Sequence, residues 1–210
     1  MDTGTWPLAG LTVWVRDLQL RLPTPAEISH LARDAGAEPY DSSVPFLAVA
    51  EDTPLARQRR TAQAHWAAMG QWTPAKWALI LAASVDGTPV GLHNIRAENF
   101  AVRAEVATGS WVRGQDQGKG FGTLMAAGAL HLAFEGLGAG SAVCEIRTDN
   151  TASRRVAEKM GYEPDGIERR AVNGQMVEYN RYRLSASRWR QLRTLRVAVT
   201  GLAACRDMFG

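Results

Sequence analysis

The glycine-rich segment at residues 117–123 has residue types and spacing that suit the binding of an anion. It reads Gln-Gly-Lys-Gly-Phe-Gly-Thr and lies between a predicted strand and a predicted amphipathic helix. Gly118, Gly120 and Gly122 carry no Cβ, so the backbone can approach a ligand closely there. The first turn of the following helix directs its unpaired N–H groups and its positive dipole end to the same place. This combination predicts a cradle for a pyrophosphate group.

Three other kinds of loop share part of this pattern. A plain glycine-rich turn before a helix would need no ligand, and the glycines alone do not exclude it. A Walker A loop requires Ser or Thr directly after its Gly-Lys pair, whereas Lys119 is followed by Gly120. A dinucleotide-binding fingerprint requires the spacing G-x-G-x-x-G and an acidic residue about twenty positions later. The glycine intervals therefore argue against both nucleotide loops.

The overall composition is that of an ordinary globular protein. Of the 210 residues, 46% are hydrophobic and 21% are charged, which is close to the globular average, and the length favours one domain. The net charge of +3 is too small to indicate nucleic-acid binding. Basic residues cluster around Arg154 and around Arg188. Such clusters fit a solvated face or, alternatively, contacts with an anionic cofactor.

The N-terminal sequence and the cysteine content favour a cytoplasmic protein. The first residues, Met1-Asp-Thr-Gly-Thr-Trp-Pro, lack the basic and apolar regions of a secretory signal. The longest strongly apolar run, at residues 77–85, is about half as long as a membrane span. The two cysteines are Cys144 and Cys205, and Cys144 is expected to be a buried free thiol. We expect no metal ion and no association with membranes or nucleic acids.

Hydrophobic periodicity and turn residues predict alternating helices and strands. The dipeptides Asp86-Gly87 and Asn173-Gly174 tolerate positive φ and mark two hairpin turns. Thr24 is a candidate N-cap for the first helix. The predicted elements are, in order, strand 11–18, helix 23–35, a loop with Pro39 and Pro45, helix 53–69, strands 77–85 and 90–95, strand 103–112, a helix from 121 that stops at the glycine-rich residues 136–140, strand 142–147, helix 151–160, and strands 167–172 and 176–184.

This order predicts an α/β (α+β) fold. Hairpins on either side of a β-α-β-α segment favour a mixed, largely antiparallel central sheet flanked by helices. We expect one domain over residues 1–185. Residues 186–210 are expected to be a C-terminal appendage, whose position the pattern does not define.

Three motifs in this order resemble those of the GNAT superfamily of N-acetyltransferases. Residues 117–122, Gln-Gly-Lys-Gly-Phe-Gly, are similar to its Q/R-x-x-G-x-G/A signature. Asn150, Ser153 and Gly161-Tyr162 resemble its N-x-x-S…K-x-G-[FY] pattern. Residues 109–112, Gly-Ser-Trp-Val, look like a strand of the ribosomal-protein N-acetyltransferase-like branch. The resemblance implies a GNAT-like sheet with a splayed cofactor cleft, and acetyl-CoA as the acetyl donor.

The resemblance also implies which residues bind coenzyme A. Trp111 and Val112 would pair with the pantetheine amides as an added strand, and the glycine-rich segment would hold the pyrophosphate. Asn150 would hydrogen-bond the pantetheine arm, although an asparagine there could equally be a helix N-cap. The implied cofactor-binding residues are Trp111, Val112, Gln117, Gly118, Lys119, Gly120, Phe121, Gly122, Thr123, Asn150 and Ser153.

The implied reaction is attack of a neutral amine on a thioester, which needs a base and a donor for the leaving thiolate. By the resemblance Glu105 is the candidate base, with a surface strand glutamate as the alternative. Many relatives carry a tyrosine acid where this chain has Ala157. Ser153 is therefore the catalytic hydroxyl expected to bond the leaving sulfur, or else an ordinary first-turn serine. Tyr162 is expected to pack in the core.

The acceptor pocket is expected between the two N-terminal helices and the last hairpin. His65, Trp66 and Trp72 are its candidate residues, and aromatic side chains at this density also fit a packed wall. The expected function is direct acetyl transfer, in a ternary complex, to a small-molecule amine or a protein N-terminus. The alternative is a non-catalytic acyl-CoA-binding regulatory module. A homodimer is considered, and the oligomeric state stays open.

Overall fold

The described part of the chain forms a mixed sheet with helices on both faces. The computed structural model describes residues 3–37, 53–172 and 174–210. The predicted loop with Pro39 and Pro45 and the turn residue Asn173 lie outside these ranges. The helices are α1 Pro25–Ala37, α2 Pro54–Gly70, α3 Phe100–Arg103, α4 Phe121–His131, α5 Thr151–Met160 and α6 Ala186–Leu192. The strands are β1 Thr12–Val15, β2 Leu18–Arg21, β3 Lys76–Val85, β4 Thr88–Glu98, β5 Glu105–Val112, β6 Ser141–Arg147, β7 Glu163–Val172, β8 Gln175–Ser185 and β9 Val197–Thr200.

The strands lie in the order β7-β8-β6-β5-β4-β3-β2-β1-β9, and in the described residues only β5 and β6 are parallel neighbours. They pair briefly, from Glu105 to Ala107 on β5. Beyond Ala107, β5 still pairs with β4 as far as Val112, while β6 pairs with β8 as far as Arg147. The two strands therefore separate and open a wedge in the sheet. The predicted mixed, largely antiparallel sheet with a splayed cleft is confirmed.

Local turn chemistry explains the hairpin between β3 and β4. Asp86 has φ 48° and Gly87 has φ 75°, the pair of left-handed residues that a tight two-residue hairpin turn requires. The predicted hairpin of β7 and β8 is also present, and Val172 pairs with Gln175 next to the turn. Both predicted hairpins are confirmed.

Two predicted strands were wrong in their extent. Residues 11–18 form not one strand but most of a hairpin, because β1 turns at Arg16-Asp17 and Val15 pairs with Leu18. Arg16 adopts φ 56° there, a conformation that its residue type does not announce. Arg103 likewise belongs to α3, and Ala104, with φ 46°, separates it from β5. Apolar residues continue on both sides of each turn, so periodicity alone could not place either break.

Capping residues define the helix ends. Thr24 and Glu27 form a capping box at the start of α1, with N–H···O distances of 3.2 Å and 2.8 Å. Asn150 caps α5 through Ser153 N–H at 2.9 Å, and Gly161, with φ 89°, ends it. The predicted limits of α5 are confirmed. The helix from Phe121 ends within the predicted stop segment, residues 136–140, because a π-helical turn at Leu132–Leu137 is followed by Gly138 as its C-cap.

The helices divide between the two faces of the sheet. α4 contacts β1, β2, β4 and β5, whereas α1 contacts β4 and α2 contacts β3. Side chains on β5 alternate between these faces. Val106 belongs to the larger core cluster, which contains Met125 of α4. Trp111 belongs to a smaller cluster with Leu31 of α1. In the described residues, no helix is both long and apolar enough to cross a membrane.

The C-terminal residues pack against the N-terminal end of the sheet. Strand β9 pairs antiparallel with β1 along its whole length. Further on, Phe209 is 1% exposed and its ring packs edge-on against Trp72 and Trp77, at 5.4 Å and 4.9 Å. Trp77 Nε1 donates to the carbonyl of Phe209 at 3.0 Å. The residues predicted as an appendage therefore contribute a strand and a core side chain, and the boundary at residue 185 stays a prediction.

The packing of Phe209 predicts a measurable contribution to stability. Phe209→Ala should lower the free energy of unfolding by about 3–5 kcal/mol, because it leaves a cavity in an aromatic cluster. Urea unfolding followed by tryptophan fluorescence measures this change. The control Met176→Ala removes a side chain that is 63% exposed and should change it by less than about 0.5 kcal/mol. Equal effects of the two substitutions would show that the C-terminal residues are not part of the core.

Candidate functional site

The wedge between β5 and β6 continues into a cleft of about 440 Å³ on the face that carries α4. The first turns of α4 and α5 form its walls. Most of the predicted cofactor-binding residues line it: Trp111, Val112, Gln117, Gly118, Gly120, Phe121, Gly122, Thr123, Asn150 and Ser153. The exception is Lys119, whose side chain is 54% exposed and binds Asp116 at 2.8 Å.

The glycine-rich segment presents a row of unpaired backbone amides to this cleft. Thr123 N–H and Leu124 N–H donate to Gly120 O, at 3.0 Å and 3.2 Å. By contrast, no carbonyl or side chain in the described part of the chain accepts from the amides of residues 118–122. Gly118 and Gly120 have φ of 76° and 89°, and a Cβ at either position would meet open space. Free amides at a helix N-terminus beside open space fit a diphosphate.

A charged cluster that sequence reasoning missed holds this loop in place. The buried pair Arg113 and Asp116 makes a hydrogen bond of 2.7 Å, and Lys119 binds the other oxygen of Asp116. The hydrogen bond from Lys119, and then that from Arg113, outweigh burial and lower the pKa of Asp116. Gln117 Nε2 donates to Val112 O at 3.1 Å. The loop is therefore tied to the end of β5, and two cations surround one carboxylate.

Asn150 is a helix N-cap that also lines the cleft. Its Oδ1 accepts from Ser153 N–H at the start of α5. Capping uses only the oxygen, which leaves the two N–H donors of Nδ2 for another partner. Ser153 lines the cleft one turn into the helix. Ala157, at the position expected to hold tyrosine in many relatives, is buried and also lines the cleft.

Two hydroxyl groups lie close together at the point where β5 and β6 separate. Tyr162 is buried, as expected, but its hydroxyl lies 3.0 Å from Thr108 Oγ1, on the first residue of β5 beyond the parallel pairing. Burial chiefly raises the pKa of Tyr162 well above its ordinary value. Both residues line the cleft, as does Cys144. Tyr162 is thus a neutral hydroxyl at the inner end of the cleft.

A cavity of about 520 Å³ opens on the opposite face of the sheet. Ala68 of α2 and Gln71, the residue that caps that helix, contribute to its lining, together with Ala107 of β5 and residues of β3, β4 and β6. Glu145 of β6 lines both this cavity and the cofactor cleft. The two spaces therefore approach each other at the wedge, from the two sides of the sheet.

Glu105 lies in this second cavity, outside the cofactor cleft. Its carboxylate accepts hydrogen bonds from Arg183, from Ser141 at 3.1 Å and from Arg103 at 2.9 Å. Burial alone would raise the pKa of Glu105. The hydrogen bonds from Arg183 and Ser141 and the charges of Arg183 and Arg103 outweigh it and hold that pKa below its ordinary value. Glu105 is therefore ionised, and cations engage both of its oxygens.

The three predicted acceptor-site residues are not brought together. His65 is buried in α2, where burial lowers its pKa, and Trp66 is 58% exposed on the same helix. Trp72 stacks on Trp77 at 5.7 Å and donates to Met208 O at 2.9 Å, which places it in the packed wall. None of these three residues lines either of the two cavities described above.

Sequence reasoning also missed His93, a fully buried histidine on β4 that lines the cofactor cleft. Burial lowers its pKa to about 4, and neither ring nitrogen has a partner in the described residues. The imidazole is therefore neutral near neutral pH. A polar residue within the apolar run of β4 could have indicated His93. The next residue, Asn94, is also polar but lies on the other face of the sheet, so this pattern alone does not select His93.

Comparison with known proteins agrees with this geometry. The chain matches the family described as acetyltransferase (GNAT) domain over residues 17–163. RimJ of Mycobacterium smegmatis, solved in complex with CoA-disulfide, is 18% identical, with a TM-score of 0.65 over 95% of this chain and 94% of that chain. A ribosomal-protein-S5-alanine acetyltransferase from Vibrio fischeri is 15% identical, with a TM-score of 0.61 over 85% and 98% of the two chains. A GCN5-related N-acetyltransferase from Brucella melitensis is 20% identical, with a TM-score of 0.67 over 86% and 81%.

The predicted superfamily is confirmed, and the similar structures include proteins named for the predicted branch. At these identities the solved structures show a common fold. The family match carries the assignment, since it covers most of the chain. The protein therefore belongs to the GNAT acetyltransferase family and is an N-acetyltransferase that uses acetyl-CoA.

Proposed function

We propose that this enzyme transfers the acetyl group to a primary amine by direct attack, with donor and acceptor bound together. Bound acetyl-CoA supplies an activated thioester carbonyl, at which an N–C bond forms as the C–S bond breaks. The proposal rests chiefly on the two cavities, which open on opposite faces of the sheet and share Glu145 in their linings. Two reactants can thus reach one point from opposite sides, which favours a ternary complex.

The state of Cys144 supports direct attack over a covalent relay. A relay would need a reactive thiolate in the cleft. Cys144 lines the cleft, but burial, and then the charge of Glu145, raise the pKa of its thiol to about 12. The thiol therefore stays protonated near neutral pH and is a poor nucleophile.

The chain's own groups would hold the donor in two ways. The free amides of residues 118–122 and the helix dipole of α4 would bind its diphosphate. The edge of β5 beyond Ala107 has no pairing with β6, so Trp111 and Val112 lie on a strand that can accept an extended chain such as pantetheine. The Nδ2 donors of Asn150 would bond the same arm.

Glu105 is proposed to accept the amine proton through a water molecule. It lies two residues before Ala107, the last position of parallel pairing, and both side chains face the second cavity. Two strand residues span about 7 Å, which is too far for direct contact with an amine at the wedge. Glu145 is nearer to the boundary between the cavities and is the alternative base.

Two hydroxyls are proposed to assist the leaving sulfur. Ser153 lies in the first turn of α5, where the helix dipole also favours negative charge. Tyr162 lies at the inner end of the cleft with its hydroxyl beside Thr108. Since Ala157 leaves the position of the family tyrosine without a hydroxyl, we assign the donation to these two side chains, both of which line the cleft.

Acetyl-CoA is expected to stabilise the protein against heat far more than ATP or NAD does. The free amides fit any diphosphate, but only acetyl-CoA also offers a pantetheine arm for β5. At 100 times its Kd, a ligand adds about 2.7 kcal/mol to the free energy of unfolding. Thermal unfolding with each ligand measures this effect. Equal shifts of the melting temperature for all three would overturn the placement of the donor.

Gly120→Asp is expected to abolish acetyl-CoA binding, because its carboxylate would enter the diphosphate space and repel the phosphates. Isothermal titration calorimetry measures the affinity. Gly87→Asp is the matched control, since Gly87 also has positive φ and open space around its Cα but lies in the β3–β4 turn. If Gly120→Asp binds acetyl-CoA as tightly as Gly87→Asp does, residues 118–122 are not the diphosphate site.

Glu105→Gln is expected to lower kcat/KM for any accepted amine by about 10²–10⁴-fold, with little change in acetyl-CoA affinity. The lowered pKa of Glu105 means that it is ionised well below neutral pH. A rise in the wild-type rate between about pH 6 and 9 should therefore follow the amine's own ionisation. Thiol release from acetyl-CoA, followed against pH, measures both effects.

Two further variants complete this experiment. Glu158→Gln changes a carboxylate on α5 that is 60% exposed and should leave the rate unchanged. Glu145→Gln tests the alternative base. A loss below about threefold in Glu105→Gln, with unchanged pH dependence, would remove Glu105 from the mechanism. A large loss in Glu145→Gln alone would transfer the role to Glu145.

A further inference from the structure

Arg96 lines the second cavity, and the N–H donors of its guanidinium make no hydrogen bond in the described residues. It lies on β4 and lines the second cavity with a side chain that is 38% exposed. Its nearest carboxylate is Glu145 at 3.7 Å, which is too long for a hydrogen bond. Glu145 itself accepts a hydrogen bond from Arg170. In the described residues, no acceptor makes a hydrogen bond with the Arg96 guanidinium.

The other cations of this cavity differ from Arg96. Each lies within 3.0 Å of a carboxylate: Lys76 with Glu98 at 2.7 Å, Arg103 with Glu105 at 2.9 Å and Arg181 with Asp165 at 3.0 Å. Among the described cations that line this cavity, Arg96 therefore remains available to bind an anion. Burial chiefly lowers the pKa of Arg96, and the guanidinium stays charged, since arginine remains protonated in proteins.

Small side chains leave room for a ligand around Arg96. Its cross-strand neighbours are Ala78 on β3 and Ala107 on β5, and cross-strand pairs lie on the same face of a sheet. Ala68 of α2 and Val143 of β6 complete this part of the lining. The two strands that flank Arg96 therefore present small apolar side chains beside it, while Glu145 lies on its β6 side.

We propose that the acceptor is a free amino acid, whose carboxylate binds Arg96 and whose amine lies beside Glu145. This rests on the proposed acetyl transfer to an amine. A guanidinium binds a carboxylate through two parallel hydrogen bonds. The Arg96–Glu145 pair, held apart at 3.7 Å, presents both charges that a zwitterion needs.

The strand register limits the distance between the amine and the carboxylate. Arg96 is paired with Ala107, and Ala107 is paired with Val143 where β5 and β6 separate. Adjacent strands lie about 4.8 Å apart, so the backbone at Arg96 is about 10 Å from β6. The arginine side chain spans part of this distance. A compact amine–carboxylate fits between Arg96 and the wedge, as in an α-amino acid.

The test compares matched acceptors in the thiol-release assay. The panel contains the common amino acids, their carboxamides, the corresponding decarboxylated amines and short peptides. Wild type is expected to prefer at least one amino acid over its carboxamide and its decarboxylated amine by about 10–100-fold in kcat/KM. Arg96→Gln should remove this preference by raising KM for the acid, with the rate on the decarboxylated amine unchanged. Arg96→Lys, which keeps the charge but loses the planar fork, should restore only part of it.

Controls separate this inference from the proposed function. Arg169→Gln changes an arginine of β7 that is 72% exposed and should keep the preference. Melting temperature and acetyl-CoA affinity show whether each variant is folded. Equal or better rates with carboxamides or peptides, or a preference that survives in Arg96→Gln, would overturn the carboxylate subsite while acetyl transfer stands.

If no amine is acetylated although acetyl-CoA binds, the proposed function fails. Calorimetry of the amino acids in the presence of coenzyme A then decides the subsite alone, and no binding, or equal binding by Arg96→Gln, overturns it.

Discussion

The brief parallel pairing of β5 and β6 determines where every part of this site can lie. The two strands meet from Glu105 to Ala107 and then follow different partners, β4 and β8. A sheet interrupted in this way lacks strand-to-strand hydrogen bonds along both inner edges, and the backbone groups there need partners other than a neighbouring strand. An extended ligand can occupy that gap, and each face of the sheet provides a separate approach to it.

Charges are arranged differently on the two sides of the wedge. Around the diphosphate loop, Asp116 is fully engaged by Arg113 and Lys119, which fixes the backbone amides without a free carboxylate in the cleft. On the other face, Arg96 and Glu145 lie near each other without a hydrogen bond. Glu145 accepts from Arg170, whereas the Arg96 guanidinium makes no hydrogen bond in the described residues. A guanidinium left available in a cavity fits an anionic group of a ligand.

Predicted elements agree with the structure where nearby backbone determines them, and they differ where residues distant in the sequence make the contacts. The predicted limits of α5 agree with the structure because Asn150 and Gly161 are caps whose action depends only on nearby backbone. The Asp86-Gly87 turn is of the same kind. The turn at Arg16-Asp17 was missed because apolar residues continue on both sides of it. The acceptor residues were predicted from their aromatic side chains. Trp72 does not line the second cavity but packs against Phe209, which is distant in the sequence.

The family, the sheet class and the position of the glycine-rich loop follow from the amino-acid sequence, because glycine spacing, caps and hairpin turns act over a few residues. Which side chains face each other across the wedge follows only from the fold. Arg96 and Glu145 are on different strands, and Tyr162 meets Thr108 across the cleft. The fold also determines that β9 pairs with β1. Such contacts depend on strand order and register, and residue type alone does not encode them, since one-residue shifts in a strand exchange its two faces.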